Sequence, residues 1–334
     1  MKRSMVSFFL LFFLITKLDS QIKDLENYQK KINQAELAYI NGKKTESLAL
    51  YYDLLLNTKG NFCKDLFNGL MVSAELNKTD KFFDFLKLIL VKGIPNEIFN
   101  TTPEFKKFKA DSRWQVFLLQ NSKYKCPDPS LRSKIDSLAI KDQFFRVKEG
   151  SYKVYGDTIK KIDSLNMLFL YSLITSNTFP SEDEIGLNNK LGVQGFDIVF
   201  HHYTQSTSLD KSKPKITPII VNLVRQGKIL PNRASLWLEM QNSDFTAGVF
   251  DIINFSIKGK ETNYFHPTYT YQRKVLLDEY RKLIYAEPIE DYYKKIAFKI
   301  KNPNNKMIFD INLNTFEVDE KSFKEWTSNM TELK

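Results

Sequence analysis

Cysteine, histidine and glycine are scarce in this 334-residue chain, which has two Cys, three His and 12 Gly. Two thiols cannot staple a disulfide-dense miniprotein, and Cys63 and Cys126 fit no C-x-x-C or other metal-ligand spacing. Cys63 falls in the apolar helical pattern Phe62, Leu66, Phe67, Leu70, so it reads as a small buried hydrophobe as readily as one half of a bridge. There is no G-x-S-x-G, no phosphate-cradling glycine loop and no H-E-x-x-H. Nucleophile-elbow hydrolases, P-loop nucleotidases and zincin proteases are thereby excluded. No cofactor motif and no metal motif is present. What the chain does have is core material: 43% of its residues are hydrophobic and 14% aromatic, which excludes a disordered chain.

The formal charge of +10 invites a nucleic-acid reading. The first segment weakens it. Lys2 and Arg3 precede an apolar run from Val6 to Ile15 and a polar exit at Thr16 to Ser20, the layout of a secretory signal. The run is too short to span a bilayer comfortably, and no cysteine near its end offers a lipid attachment point. Cleavage near Ser20 removes Lys2, Arg3, Lys17 and Asp19, lowering the +10 by two to +8. The remaining charges alternate in sign, without the one-sided Lys/Arg patch that neutralises several phosphates together. The expectation is an exported protein, periplasmic or extracellular and not a lipoprotein, with no nucleic-acid partner. Association with anionic lipid or glycan surfaces is the compositional alternative.

Residues 21–122 read as consecutive helices. Ile22, Leu25, Tyr28, Ile32, Ala35 and Ala38 recur at three- and four-residue spacing, and Asn41-Gly42 ends that stripe. Leu48, Tyr51, Tyr52 and Leu55 form the next, then Phe62, Leu66, Leu70 and Ala74. Lys44-Thr45-Glu46 and Lys78-Thr79-Asp80 lie 34 residues apart, and at that offset Leu48 maps onto Phe82, Tyr51 onto Phe85 and Leu55 onto Ile89. Thirty-four is the tetratricopeptide period. The region therefore resembles a short tetratricopeptide-like array of about two units, lacking the usual Trp and terminal Pro, capped by the aromatics Phe105, Phe108, Trp114 and Phe117. Such an array implies a protein or peptide partner.

Cys126-Pro127-Asp128-Pro129 marks a linker over 123–130, since two prolines in three residues cannot sit inside a helix. An all-α domain is expected over 131–257. Leu131, Ile135, Leu138, Asp142 and Phe145 step by four and three, which puts Asp142 in an apolar seam with Arg146 one turn on. Ile159, Ile162, Asn166, Phe169 and Leu173 do the same for Asn166, with Asp163 beside it. A polar group in such a seam must find partners. Ser181 and Glu184 have capping-box spacing. The next helix carries His201 and His202, which point about 100° apart and so form no two-His metal face; either could act as a general base.

The segments D-Q-F-F-R (142–146), D-S-L-N (163–166), F-P-S with I-G (179–186), F-H-H (200–202) and Q-G-K-I-L-P-N-R-A (226–234) occur in the order of an uncharacterised all-helical domain family of exported bacterial proteins. The chain resembles that family over roughly 131–248. The family's histidine falls most naturally on His201, with His202 the alternative; its later D-R pair and closing Q-Y-G-T-Q have no counterpart here. No activity comes with the resemblance.

Residues 258–334 form a C-terminal extension of mixed α/β character, in which Ile296 to Ile300 and Met307 to Leu313 flank Asn302-Pro303-Asn304-Asn305 as a hairpin. The expected class is mainly α: a short helical-repeat array, an all-α domain and this small extension. Two functions fit: a protein- or peptide-interaction protein, or an extracytoplasmic hydrolase using His201 with Asp142, Arg146 and Asn166.

Overall fold

A computed structural model describes residues 25–187, 194–210, 212–241 and 246–333. The signal-like residues 1–20 lie outside this range. The fold is mainly helical with a small sheet near its C-terminus, the class expected from the periodicities.

The first apolar stripes become α1 (25–40), α2 (Lys44–Asn57), α3 (Cys63–Glu75) and α4 (Thr79–Ile89). The α1–α2 and α3–α4 turns close alike. Gly42 and Asn77 take positive φ, of 77° and 55°. The amides of Lys43 and Lys78 then reach back to Ala38 and Ser73, both at 2.9 Å. These turns correspond at an offset of 35 residues, one more than the spacing of the K-T-E and K-T-D tripeptides. α3 crosses α4 closely at Gly69, where a Cβ would stand 2.6 Å from the Phe85 ring. Short helices α5 (Asn96–Thr101) and α6 (Ser112–Ser122) complete the region with an aromatic stack in which Phe82 lies parallel to Phe108 at 3.9 Å.

The second region contains α7 (Pro129–Phe144), α8 (Ser151–Thr175), α9 (Glu182–Ile185), α10 (Gly195–Leu209), α11 (Thr217–Arg225) and α12 (Pro231–Gln241). α8 is kinked at Tyr155, beside Gly156. The Ser181–Glu184 capping box opens α9. The chain then forms β1 (Ile253–Ile257), β2 (Lys260–Pro267), α13 (Tyr271–Leu283), α14 (Ile289–Lys301), β3 (Asn314–Glu317), α15 (Glu320–Thr327) and β4 (Met330–Glu332). The sheet order is β3-β1-β2-β4, with β1 parallel to β3 and the other pairs antiparallel.

The hairpin is not where the sequence suggested. It turns at Lys258-Gly259, both at positive φ, the backbone that tight two-residue hairpins require. Ile296 to Ile300 are instead the end of α14. Its true period is Ile289, Tyr292, Lys295, Ile296, a helical face with a lysine in the middle that breaks the apolar reading.

Two apolar cores result. The first joins α1–α6 to Met307 and Phe309 from the C-terminal segment. The second joins α7–α12 to Leu277, Ile284, Ile289, Tyr292 and Ile296 of the α13–α14 region. The cores meet across a buried chain of charges. Glu36 of α1 receives Lys64 of α3 at 2.7 Å and Lys295 of α14 at 2.5 Å. Lys295 also reaches Glu287 at 3.1 Å, and Arg281 stands 3.5 Å from the same carboxylate. Lys64 pairs with Asp65 at 2.7 Å, whose other oxygen accepts from Tyr28 at 2.6 Å.

Burial favours protonated Glu182 and Glu239, each pushed up to about 7, and Asp197, to about 6. Glu287 goes the other way: burial would raise it, but Lys295 and Arg281 hold it at about 2.

Removing one cation from between buried carboxylates leaves charge uncompensated, so Lys295→Met is expected to cost about 3–5 kcal/mol of unfolding free energy, measured by urea denaturation. The raised carboxyls bind protons more tightly folded than unfolded, so their stabilisation is complete below about pH 4 and lost as pH rises through 6–7. Glu287 contributes above about pH 4.5 and is lost as pH falls towards 2. The urea midpoint should therefore be higher at pH 5 than at pH 8, and Glu239→Gln should narrow that gap by raising the pH 8 value.

Candidate functional site

α7 and α10 run side by side in the same direction. At Gly195 a Cβ would stand 2.0 Å from the Ile135 carbonyl oxygen, so only glycine permits this approach. Seven residues on along each helix, about 10.5 Å away, Asp142 meets His202. His202 Nδ1 lies 3.0 and 2.8 Å from the two Asp142 carboxylate oxygens.

Asp142 is 1% exposed and has further partners. Gln143 Nε2 donates to it at 2.7 Å. Arg146 Nη1 stands 3.2 Å from the carboxylate and donates to the Asp142 backbone carbonyl at 2.7 Å. Arg146 Nη2 donates to both oxygens of Asp163 on α8, at 2.8 and 2.9 Å, and to the Tyr152 hydroxyl at 3.1 Å. Burial alone would lower the Arg146 pKa, but Asp163 and Asp142 together raise it, so the guanidinium is a fixed charge.

His201 lies beside His202, ring centroids 5.4 Å apart. Burial, then the neighbouring His202, lowers its pKa. The imidazole that bonds Asp142 is thus His202, the alternative of the two, while His201 flanks the pair. Asn166 of α8 is 4% exposed, and its amide nitrogen has no hydrogen-bond partner. Asp142, Arg146 and His202 are therefore joined in one network with Asp163, Gln143 and Tyr152. Asn166 faces a neighbouring groove instead.

Ligand atoms of Asp142, Asp163 and His202 lie within 4.8 Å of one another. Arg146 already bridges the two carboxylates and supplies the positive charge that a cation would bring. Among the described residues no hydroxyl or thiol hydrogen-bonds to His202. His202 Nε2 is the ring nitrogen that Asp142 leaves free.

Asn166 opens on a groove of about 720 Å³ between α7 and α8, also lined by Lys134, Leu138, Lys141, Phe144 and Leu165. A second, more polar groove of about 810 Å³ runs past Lys31, Asp53, Asn57, Ser181 and Arg225.

The array expected to hold a peptide has part of its surface covered by the chain itself. Asn68 of α3 clamps the Ile308 backbone, donating to its carbonyl at 2.9 Å and accepting from its amide at 2.8 Å. Asn305 donates to the Tyr39 hydroxyl at 2.7 Å. The two cysteines are unpaired: Cys63 is buried and Cys126 half-buried, with its thiol against the Ile185 carbonyl.

Sequence reasoning found Asp142 and Asn166 because each interrupts an apolar stripe, and Arg146 because it stands one turn from Asp142. Gln143 and Tyr152 gave no such signal. His202 could have been preferred over His201 from Gly195, since positions 195, 199 and 202 share the face that meets α7.

No family model, curated protein or solved structure matches the chain. Among the described residues no helix is long and apolar enough to cross a membrane.

Removing Arg146 leaves Asp142 and Asp163 facing each other with no cation between them. Arg146→Met should cost about 3–5 kcal/mol in urea denaturation, and Arg146→Lys should restore only part, because a single ammonium cannot donate to both carboxylates in a planar fork.

Proposed function

We propose that the chain is an exported interaction protein that binds a protein or peptide partner on the outer face of α7 and α8. The observation that carries this reading is the apolar surface around the α7–α8 groove: Ile140 is 70% exposed, Phe144 52%, Leu165 57% and Leu168 64%. An apolar patch that lines a groove marks a binding surface more often than scattered single exposed residues do. On this reading the Asp142–Arg146–Asp163–His202 network is a strut that holds α7, α8 and α10 at a fixed spacing behind the groove. The D-Q-F-F-R segment would then be the structural signature of a divergent member of the uncharacterised exported family. The tetratricopeptide-like helices would serve mainly as a scaffold, since residues 305–311 engage them in cis. Export rests on the N-terminal signal pattern.

A second reading, an extracytoplasmic hydrolase, is favoured by one feature: Asp142 fixes His202 Nδ1 and leaves Nε2 as a potential general base. It requires that His202→Gln abolish a turnover while leaving the fold intact.

The binding reading is tested with a photo-crosslinking amino acid at Phe144 or Leu168 in the native host. A discrete adduct should form from these positions and not from Leu119, an exposed residue of α6. Equal labelling from all three positions, or none, would count against it.

A further inference from the structure

We infer that the partner segment seated between α7 and α8 is an acidic amphipathic helix. This rests on the binding reading above and adds the chemistry of the occupant. The α7 wall presents Lys134, Ser137, Leu138, Lys141 and Phe144, and the α8 wall presents Ile162, Leu165, Asn166 and Phe169. Both walls therefore have helical spacing, and a slot between two helix ridges is complementary to a third helix. An extended strand laid there would face apolar walls with unpaired backbone amides.

Charge selects the sign. Lys134 and Lys141 are two turns apart on the rim, and beyond the end of α7 the Lys148 ammonium stands 4.0 Å from the centre of the Phe144 ring. The carboxylates of α7 and α8 are engaged elsewhere: Asp136 with Arg132, Asp142 and Asp163 with Arg146, and Asp157 with Lys160. Among the described residues no acidic side chain pairs with Lys134, Lys141 or Lys148. A second copy of the chain would oppose one lysine row with another. A helix with carboxylates every two turns would place them about 10.5 Å apart, matching the row. The unpartnered, buried Asn166 amide on the opposite wall calls for one hydrogen-bond acceptor on the same helix.

The test uses the full chain and designed peptides whose leucines repeat at i, i+3, i+4 and i+7. One peptide carries Glu at the flanking positions, a second Lys, and a third the Glu pattern with a central Pro. Fluorescence anisotropy should show the Glu peptide binding at least about tenfold tighter than the Lys peptide, with loss of that preference as salt rises. Lys134→Glu with Lys141→Glu, both exposed and therefore safe for folding, should reverse the order, and the Pro peptide should not bind. Equal affinity for Glu and Lys peptides, or an order that the double variant leaves unchanged, overturns the inference. So does binding only to phosphatidylglycerol vesicles, or sedimentation as a dimer that Leu168→Glu dissociates. If host crosslinks form at Phe144 but map to a basic or non-helical segment, this inference falls and the binding reading stands. If no groove adduct forms, the binding reading falls as well.

Discussion

Lys295 is the residue on which the two halves of the molecule depend. Its ammonium sits between Glu36 of the first helix and Glu287 before α14, all three buried. Taking such charges out of water is costly, and a well-packed apolar contact would stabilise the junction at least as well. The ionic arrangement does something apolar contact cannot: it is satisfied in one register only. Lys64, Asp65 and Tyr28 extend it into the first core, while Arg281 extends it into the second by donating to Asn232 Oδ1 and to the Ala247 carbonyl. The charge chain thus specifies how the array docks on the rest, and docking in turn brings residues 305–311 against Tyr39 and Asn68.

The same logic operates on a smaller scale between α7, α8 and α10. Gly195 sets how closely α10 approaches α7, and the network at Asp142 sets rotation, because His202, Arg146 and Asp163 can all reach their partners at only one relative orientation. A buried carboxylate with three partners is both a stabilising contact and a penalty on every alternative packing. The α7–α8 spacing, and so the width of the groove, follows from that constraint.

Much of this was legible in the sequence as local pattern. The apolar stripes gave the helices, the Pro-rich stretch at 127–129 gave the break before α7, and Asp142 and Asn166 stood out as polar residues in apolar seams, with Arg146 one turn from Asp142. Long-range pairing was not legible. Nothing in an apolar stripe says that Glu36, Lys64 or Lys295 will face an opposite charge from another part of the chain. The same lysine disguised α14, since it interrupts the helical period and leaves Ile296 to Ile300 looking like a short strand. The formal charge is a poor guide for a related reason. Lys64, Lys92 and Lys295 are interior residues, so a count of basic side chains overstates what solvent or an anionic polymer would meet.

The exposed face of α7 and α8 gains meaning from this contrast. The chain buries Lys64, Lys92 and Lys295 in contact with carboxylates, whereas Ile140, Phe144, Leu165 and Leu168 remain in water although burying each would be worth about 1.5–3 kcal/mol. That apolar area lies beside the Asn166 amide, which has no hydrogen-bond partner. The network at Asp142 ties α7 to α8 and α10 behind that face. On the binding reading proposed above, the network at Asp142 and the open groove are two parts of one device: the buried charges fix the spacing of the walls, and the walls keep their apolar surface for a partner.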